Sequence, residues 1–461
     1  MLKQNRSIHF VGIGGVGMSG IAELLLNLGY KVSGSDISKT DITDRLSKLG
    51  AKIYIGHSAA NVKEVDVVVT SSAIPKENIE VRTAKENRIP IIPRADMLQE
   101  LMRLKEGIAV SGAHGKTTTT SIISLVLSKA GLDPTIVIGG RFQNIRSHAR
   151  LGNGRYLVAE ADESDGSFLK LRPFISVVTN IDLEHLDYYK DLKKIKEAFL
   201  SFINSVPFYG CSVLCLDCEN IRELIGKIRR RFITYGRSQD ATIRAEEIVL
   251  GGLCSEFSVF YRNRRLGKVR INLPGVHYVS NSLAAIAVGL ELGIPFQDIA
   301  ASLLEFQSVD RRYHVKGNIK NILIIDDYAH HPTEIKATLQ SARIGWNRRI
   351  IAVFQPHRYT RTGYLKKEFG RCFFEASRVV VTKIYPAGEK PIKGVSSKSI
   401  VDSLKEANHP DVKYIEDFTD IVNYLLSSIK EGDLVITLGA GDIWKVADKL
   451  VEALKKDDCK P

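Results

Sequence analysis

The segment that most constrains this chain is a glycine-containing loop between an apolar run and a helical pattern. Residues 108–110 are apolar, residues 111–118 read S-G-A-H-G-K-T-T, and residues 121–130 have helical periodicity. Glycines allow backbone N–H groups to turn toward a polyphosphate, and the N-terminus of the following helix adds the positive end of its dipole. The order of strand, loop and helix therefore predicts an α/β domain with a phosphate-binding site.

Two side chains of this loop have expected roles. Lys116 would reach the terminal phosphates, and the Thr117 hydroxyl would hold Mg²⁺. The loop departs from the usual G-x-x-x-x-G-K-[ST] pattern because Val110 occupies the first glycine position, so it is a shortened variant. An ordinary strand-to-helix turn can also contain Gly-Lys-Thr, and the residues alone leave that alternative open.

Length and composition are those of a globular protein with several domains. The 461 residues leave room for about three domains of roughly 150 residues each, and 44% of the residues are hydrophobic. No apolar run approaches the roughly 18 residues of a membrane span, so we expect a cytoplasmic protein with no membrane partner. The net charge of +13 is spread along the chain, which argues against a nucleic-acid partner.

A second glycine motif lies near the N-terminus. Residues 12–17 read G-I-G-G-V-G, after a strand pattern at residues 7–11, and Asp36 ends the next strand pattern. This G-x-G-x-x-G arrangement is typical of a dinucleotide-binding fold, in which the acid contacts a ribose. A UDP-sugar carries the same diphosphate as NAD, so the motif leaves both ligands open, together with a turn that binds nothing.

Further candidates follow strand patterns of the first and middle segments. Arg94 is a candidate anion partner or an ordinary surface arginine. Among several acids we choose Glu160 as a metal anchor because it is nearest the end of its strand. His185 lies in an acidic loop and is equally consistent with a metal ligand and an exposed residue. Asn281 stands before a helix expected over residues 282–292, where it would be a cap.

The third segment places polar clusters after strand patterns at residues 321–325 and 349–354. The first cluster, residues 326–331, reads D-D-Y-A-H-H, and the second, residues 355–361, reads Q-P-H-R-Y-T-R. Alternating apolar strands and helices predict a third α/β domain. The histidines and arginines exceed what packing requires, so we interpret the clusters as catalytic in preference to structural.

Taken together, these motifs resemble the Mur ligases of peptidoglycan synthesis along the whole chain. The opening stretch HFVGIGGVGMSG, at residues 9–20, is similar to the branch that adds L-alanine to UDP-N-acetylmuramate. In this family the first domain binds the UDP-sugar, which favours that ligand over NAD. The resemblance implies three α/β domains: a Rossmann-like UDP-sugar-binding domain at residues 1–106, a central P-loop ATP-binding domain at residues 107–312, and a Rossmann-like amino-acid-binding domain at residues 313–461.

The same resemblance implies an ATP-dependent ligase that forms an acyl phosphate and releases ADP and phosphate. Its substrates would be UDP-N-acetylmuramate, L-alanine and ATP, with Mg²⁺ or Mn²⁺ as the metal. By similarity, the catalytic residues are Lys116, Glu160, His185 and His330, and the metal ligands are Thr117, Glu160 and His185. The ATP-binding residues are Gly112, Ala113, His114, Gly115, Lys116, Thr117, Thr118, Asn281, Arg312 and Asp327. The UDP-sugar-binding residues are Gly14, Gly15, Gly17, Asp36, Ser72 and Arg94, and the amino-acid-binding residues are Tyr328, His357, Arg358 and Arg361.

Several alternatives remain open at this point. Sibling ligases for later residues carry a modified lysine after the metal histidine, whereas residues 199–202 read F-L-S-F here, which agrees with the alanine-adding branch. A murein-peptide recycling ligase or a folate ligase would need a larger third-domain pocket. An NAD-dependent oxidoreductase leaves the phosphate loop without a role, and a nucleotide sensor leaves the third-domain clusters idle. The sequence does not distinguish a monomer from a dimer.

Overall fold

The computed structural model describes residues 6–71, 73–142 and 147–458, which form three sheets flanked by helices. The predicted α/β class is thus confirmed, whereas Ser72 lies outside the described residues. The chain groups into two compact units. The first contains residues up to Glu246 with Ser258–Val269 and Ser280–Gln307, and the second contains Glu247–Phe257, Arg270–Val279 and Ser308–Pro461. The domain limits at residues 106 and 312 stay predictions.

The N-terminal sheet has five parallel strands in the order β3-β2-β1-β4-β5. Helices pack beside it, so its central strands are mostly buried, as parallel strands normally are, although β2 reads K-V-S-G-S-D and buries Ser33 and Ser35. Its elements are β1 Ser7–Val11, α1 Val16–Asn27, β2 Lys31–Asp36, α2 Asp41–Lys48, β3 Lys52–Ile55, β4 Val67–Thr70, α3 Ile79–Glu86, β5 Ile91–Pro93 and α4 Arg94–Met102.

The middle sheet has ten strands in the order β15-β14-β13-β12-β11-β10-β6-β9-β7-β8. Strand β6 lies between β10 and β9 and is parallel to both, so the loops that follow these three strands meet at one edge. The elements are β6 Glu106–Ser111, α5 Lys116–Lys129, β7 Thr135–Phe142, β8 Ser147–Arg150, β9 Tyr156–Glu160, β10 Ile175–Val178, α6 Leu186–Tyr189, α7 Leu192–Ile203, β11 Cys211–Cys215, α8 Glu219–Arg222, β12 Phe232–Gly236, β13 Ile243–Gly251, β14 Cys254–Tyr261, β15 Arg264–Ile271, α9 Val276–Glu291 and α10 Phe296–Leu304.

The helix α5 is buried although its sequence is rich in threonine and serine, which normally favour other conformations. Its hydroxyls donate to carbonyls one turn earlier: Thr120 Oγ1 to Lys116 O at 2.8 Å, and Ser124 Oγ to Thr120 O at 2.7 Å. Ser121 and Ser128 make the same bond, so most of this polar run can lie in the core with its hydroxyls satisfied inside the helix. Thr119 is the exception among the described residues, since its Oγ1 is buried without a hydrogen-bond partner.

The third sheet has six strands in the order β16-β17-β21-β18-β19-β20, all parallel except β16. Strand β21 pairs with both β17 and β18, which brings the two polar clusters of this segment to one edge. The elements are β16 His314–Ile319, β17 Ile322–Asp327, α11 Pro332–Gly345, β18 Ile350–Phe354, α12 Tyr359–Tyr364, α13 Lys366–Phe369, β19 Arg378–Val381, α14 Ser397–Glu406, β20 Val412–Tyr414, α15 Phe418–Ser428, β21 Leu434–Leu438 and α16 Trp444–Asp458.

One predicted helix start is wrong. Helix α9 begins at Val276, more than one turn before the expected position, so Asn281 lies inside the helix and is not its cap. Gly275 has a φ of 121°, and its carbonyl accepts from the N–H of Tyr278. The helix opens with V-H-Y-V-S-N, residues of lower helix propensity than the alanines and leucines that follow, and for that reason the sequence pattern placed the start too late.

Across the described part of the chain, no helix combines the length and the apolar character that crossing a membrane requires.

Candidate nucleotide and amino-acid sites

The phosphate loop joins β6 to α5, and two of its glycines have conformations that other residues rarely adopt. Gly112 has a φ of 137°, and Gly115, directly before α5, has a φ of 83°. A Cβ on Gly112 would collide with Thr179 Oγ1, and a Cβ on Gly115 would lie 2.8 Å from Asn281 Oδ1. The loop therefore requires glycine at both positions, and the buried side chain of Asn281 points at its end.

Asn180, which follows β10, holds the loop from the neighbouring strand. Its Oδ1 accepts from His114 N at 2.8 Å, and its Nδ2 donates to His114 O at 2.9 Å. Thr179 Oγ1 donates to the same carbonyl at 2.6 Å. The backbone of His114 is thus fixed on both sides, which preorganises the loop for a phosphate. Sequence reasoning missed Asn180, although a polar Thr-Asn pair directly after an apolar strand was the available signal.

Lys116, the first residue of α5, is mostly buried and folds back on its own loop. Its Nζ donates to Gly112 O at 2.6 Å and to Glu163 Oε1 at 2.8 Å. Burial alone lowers the pKa of Lys116, but the carboxylates of Glu163, Asp162 and Glu184 outweigh it and raise the pKa above its ordinary value. The lysine is therefore charged at every working pH, and a phosphate would have to replace Glu163 as its partner.

Glu163, Glu184 and His185 bring ligand atoms within 4.8 Å of one another. His185 Nε2 lies 3.4 Å from Glu163 Oε1 and 3.7 Å from Glu184 Oε2. Among the described residues, Glu163 Oε2 is buried and has no hydrogen-bond partner. Two carboxylates and an imidazole at this spacing, with one orphaned carboxylate oxygen, fit a divalent cation beside the phosphate loop.

Glu160, the acid that we chose from the sequence, is the last residue of β9 and pairs in register with Val110, directly before the loop. It does not belong to the group around His185, in which Glu163 is the carboxylate from this stretch. Its role as a metal ligand stays a prediction. The spacing could not distinguish these two acids because the chain turns between them, and only the folded loop decides which one faces His185.

The glycine motif near the N-terminus joins β1 to α1. The N–H of Gly14 donates to Asp36 Oδ2 at 2.8 Å, so Asp36 helps to fix the glycine turn itself. A Cβ on Gly17 would lie 2.8 Å from Arg94 Nη1, which places this guanidinium against the first turn of α1. An arginine beside the N-terminus of a helix forms an anion-binding site. Gly14, Gly17, Asp36 and Arg94 thus lie together, and their contact with a UDP-sugar stays a prediction.

A single carboxylate lies between this first site and the phosphate loop. Asp162 Oδ2 is 3.2 Å from Arg94 Nη2. Burial alone raises the pKa of Asp162, but Lys116 and then Arg94 outweigh it and hold the pKa below its ordinary value. The two cations of the two sites therefore share one ionised neighbour, and the sites lie side by side within the first unit.

The remaining predicted nucleotide contacts, Arg312 and Asp327, lie in the second unit. Arg312 contacts Glu334, with 3.7 Å between Nη1 and Oε1, and its guanidinium lies 5.0 Å from the ring centroid of Tyr328. Asp327 accepts from Tyr313 N and Ala329 N, both at 2.7 Å. Burial raises the pKa of Asp327 to about 6, against the opposing effect of Arg312. Asp327 thus fixes the backbone around Arg312.

Residues predicted to bind the amino-acid substrate, together with His330, meet at the edge of the sheet where β17, β21 and β18 end. The rings of His330 and His357 have centroids 5.6 Å apart, and those of Tyr328 and His330 are 5.5 Å apart. Arg361 Nη1 lies 3.3 Å from His357 Nδ1. Burial, followed by His330 and Arg361, lowers the pKa of His357 to about 3. His357 is therefore neutral near pH 7, and its Nδ1 can accept from Arg361.

Comparison with known proteins identifies the class. Family models match residues 7–106, described as "Mur ligase family, catalytic domain", residues 110–289, described as "Mur ligase middle domain", and residues 311–441, described as "Mur ligase, glutamate ligase domain". The chain belongs to the Mur ligase family, as the resemblance predicted.

Individual relatives show which members of the Mur ligase family this chain is similar to. The chain is 56% identical over 450 residues to the UDP-N-acetylmuramate--L-alanine ligase of Geotalea uraniireducens, covering 98% of both proteins. It is 31% identical to the solved UDP-N-acetylmuramate-alanine ligase of Thermotoga maritima, with a TM-score of 0.84 over 98% of this chain and 100% of that one. A murein peptide ligase from Psychrobacter arcticus, 24% identical with a TM-score of 0.72 over 97% of this chain and 98% of that one, shares the fold.

Replacing Lys116 tests the nucleotide site. We expect Lys116→Ala to lower ATP-dependent phosphate release by roughly a hundredfold or more, because the transferring phosphate loses its side-chain cation. The melting temperature should also fall, since Glu163 is left buried without its cation. Lys129→Ala, at the far end of α5, is the matched control because Lys129 contacts only the exposed Glu305 carboxylate in its ion pair. Activity near the wild-type level in a folded Lys116→Ala protein would refute the assignment.

A partly buried histidine of the second unit, His277, should make stability depend on pH. Burial, and then Arg312, lowers the pKa of His277 from 6.5 to about 4. Below pH 6.5 the unfolded chain binds a proton that the folded chain does not, so stability is lost as the pH falls toward 4. From about pH 8 to about pH 5 the loss is about 2 kcal/mol for this residue. Thermal denaturation of His277→Gln should show a smaller decrease between these pH values than the wild type, and an equal decrease would contradict this origin.

Proposed function

We propose that this chain joins L-alanine to the carboxylate of UDP-N-acetylmuramate and converts ATP to ADP and phosphate, as a step of peptidoglycan precursor synthesis. The observation that carries the proposal is that Asp162 contacts Arg94 at 3.2 Å and also interacts electrostatically with Lys116. This reaction requires a sugar carboxylate to reach the γ-phosphate of ATP, and an arginine suited to an anionic sugar nucleotide so near the phosphate loop supports that requirement. The names of the relatives support the same reaction.

The first half-reaction activates the carboxylate. An oxygen of the UDP-N-acetylmuramate carboxylate attacks the γ-phosphorus of ATP. The bond between this phosphorus and the β,γ-bridging oxygen breaks, so that ADP leaves and an acyl phosphate is formed. Negative charge grows on the phosphate oxygens during transfer, and the N–H groups of the loop together with Lys116 stabilise it. Lys116 exchanges Glu163 for the phosphate, and Arg94 holds the UDP-sugar beside the first turn of α1.

A divalent cation, Mg²⁺ or Mn²⁺, fits beside this loop. Glu163, Glu184 and His185 are the residues that would hold it. Thr117 and Glu160 are the further candidates from the sequence. When bound, the cation neutralises charge on the phosphates and on the leaving ADP. The buried, unpartnered oxygen of Glu163 supports this assignment.

The second half-reaction forms the amide. The amine of L-alanine attacks the carbonyl carbon of the acyl phosphate, phosphate leaves, and the nitrogen loses its proton. Arginine suits the carboxylate of the amino acid because its planar fork donates two hydrogen bonds and stays charged. We assign this role to Arg358 and Arg361, and the neutral His357 keeps Arg361 in place without adding a second positive charge.

The alternatives have weaker support. An NAD-dependent oxidoreductase uses the first glycine motif but gives no role to the phosphate loop and its acidic neighbours. A murein-peptide recycling ligase shares the fold, yet the relatives at higher identity carry the alanine-adding name. The substrates ATP and a UDP-sugar are metabolites of the cell interior, which supports a cytoplasmic location.

Substrate dependence tests the proposal directly. We expect phosphate release from ATP to require both UDP-N-acetylmuramate and L-alanine, and calorimetry to show binding of the UDP-sugar and none of NAD. The free murein tripeptide, whose alanine amine is unblocked, should give no phosphate release in place of L-alanine. Binding of NAD at micromolar strength would revive the oxidoreductase reading, and release with the peptide alone would favour the recycling reaction.

Replacing Arg358 or Arg361 tests whether these arginines bind the carboxylate of L-alanine. Loss of such a contact in a mostly desolvated site costs roughly 2 to 4 kcal/mol, so Arg358→Ala or Arg361→Ala should raise the KM for L-alanine by roughly 30-fold or more. The acyl phosphate should still form, and hydroxylamine trapping measures it without L-alanine. Loss of the trapped hydroxamate in both variants, with an unchanged KM for L-alanine, would assign these arginines to ATP or the sugar.

A further inference from the structure

The segment 384–389, after β19, lies against the predicted amino-acid site although no motif drew attention to it. Tyr385 N donates to Pro356 O at 2.8 Å, and Arg358 N donates to Tyr385 O at 2.9 Å. His357 and Tyr385 therefore form an isolated parallel bridge beyond the ends of β18 and β19. This bridge extends the sheet by one step and joins the two loops that follow these strands.

The bridge holds a residue with an unusual backbone. Arg358 has φ 71° and ψ 141°, a region that residues other than glycine rarely occupy. Its N–H is bound by Tyr385, and its carbonyl accepts from Thr362 Oγ1 at 2.8 Å. Such a conformation persists only where the surroundings enforce it, and strained residues of this kind concentrate at ligand sites. The segment thus fixes the direction in which the Arg358 side chain leaves the backbone.

The ring of Tyr385 acts on the second arginine through His357. The two rings stack with centroids 5.5 Å apart and an angle of 7° between their planes. A Cβ on Gly441 would lie 2.7 Å from Tyr385 Cγ, so the Tyr385 ring is confined between His357 and the loop after β21. Arg361 Nη1 lies 3.3 Å from His357 Nδ1, so the orientation of the His357 ring fixes the position of this acceptor for Arg361.

Glu389, at the end of the same segment, binds the start of α12. Its Oε2 accepts from Thr360 N at 3.0 Å, and its Oε1 accepts from Thr360 Oγ1 at 2.6 Å. Thr360 stands between Arg358 and Arg361 on this short helix. Because Glu389 binds both the backbone N–H and the hydroxyl of Thr360, Thr360 has little freedom to rotate or shift.

We propose that Tyr385 and Glu389 are positioning residues of the amino-acid site, which hold Arg358 and Arg361 in the geometry that binds the carboxylate of the incoming amino acid. The inference rests on the proposed function. Neither residue is assigned to contact substrate: Tyr385 acts through His357 and the backbone of Arg358, and Glu389 acts through Thr360. Misplacing a binding group by a fraction of its contact distance weakens the contact while the rest of the reaction continues.

The test separates the ring from the backbone contacts. In Tyr385→Leu the stacking on His357 is lost but an apolar side chain remains, and we expect the KM for L-alanine to rise roughly tenfold or more. The KM values for ATP and UDP-N-acetylmuramate, and hydroxamate trapped without L-alanine, should stay within about twofold of wild type. Tyr385→Phe keeps the ring and should restore the wild-type KM for L-alanine.

Glu389 gives a second route to the same answer if Tyr385→Leu does not fold. Glu389→Gln keeps one oxygen acceptor for Thr360 and should raise the KM for L-alanine less than Glu389→Ala, which removes both. Lys390→Ala is the control next in sequence. An unchanged KM for L-alanine in both Tyr385→Leu and Glu389→Ala would overturn the inference. A parallel rise of all three KM values with loss of trapped hydroxamate would overturn it too, because that pattern indicates a general structural role. Failure of the proposed function is distinct, since the wild type itself would then show no L-alanine-dependent phosphate release.

Discussion

The ion pair between Lys116 and Glu163 sets the requirements of the nucleotide site. A buried ammonium is stable only beside opposite charge, and here a carboxylate from the loop after β9 supplies it at 2.8 Å. The same Glu163 oxygen lies 3.4 Å from His185. One carboxylate thus serves the lysine of the phosphate loop and the group that suits a divalent cation. Arrival of ATP must exchange these partners, because a phosphate takes the lysine and releases the carboxylate.

In the second unit, hydrogen bonds from neighbouring side chains hold the backbone of the segment that carries Arg312. Asp327 accepts two backbone N–H groups, and the guanidinium of the neighbouring Arg311 donates to Gly439 O at 2.6 Å and to Gly441 O at 2.8 Å. These bonds join the segment before β16 to the ends of β17 and β21. The arginine that we expect to contact the nucleotide therefore has a backbone fixed by its neighbours, and Asp327 contributes to the site by holding structure as well as by any direct contact.

The sequence predicted most strands and the loops that bear polar residues, because apolar runs, glycines and strand ends are local signals. The sequence was a poorer guide to which side chains contact one another in the folded sites. Asn180, Glu163 and Tyr385 each act across strands distant in sequence. Only Asn180 had a local signal, its position after an apolar strand, whereas nothing within their own segments distinguishes Glu163 and Tyr385 from acidic or aromatic neighbours. Asn281 illustrates the opposite error, since β-branched, aromatic and polar residues of low helix propensity disguised the first turns of α9. The side chain that was expected to cap a helix instead reaches the phosphate loop.

The charges around Lys116 give a physical reason for the proposed divalent cation, and the usual ligand preference of such ions does not give one. Histidine is an unusual ligand for a hard cation, which prefers oxygen. Around the loop, however, three carboxylates, Asp162, Glu163 and Glu184, influence Lys116, and Arg94 is the second cation beside them. Acids thus outnumber side-chain cations before any substrate binds. ATP and the sugar carboxylate add further negative charge at the same place, and the protein supplies no other cation there among the contacts described. A divalent ion held by Glu163 and His185 would correct this imbalance at the point where the two anionic substrates must approach each other.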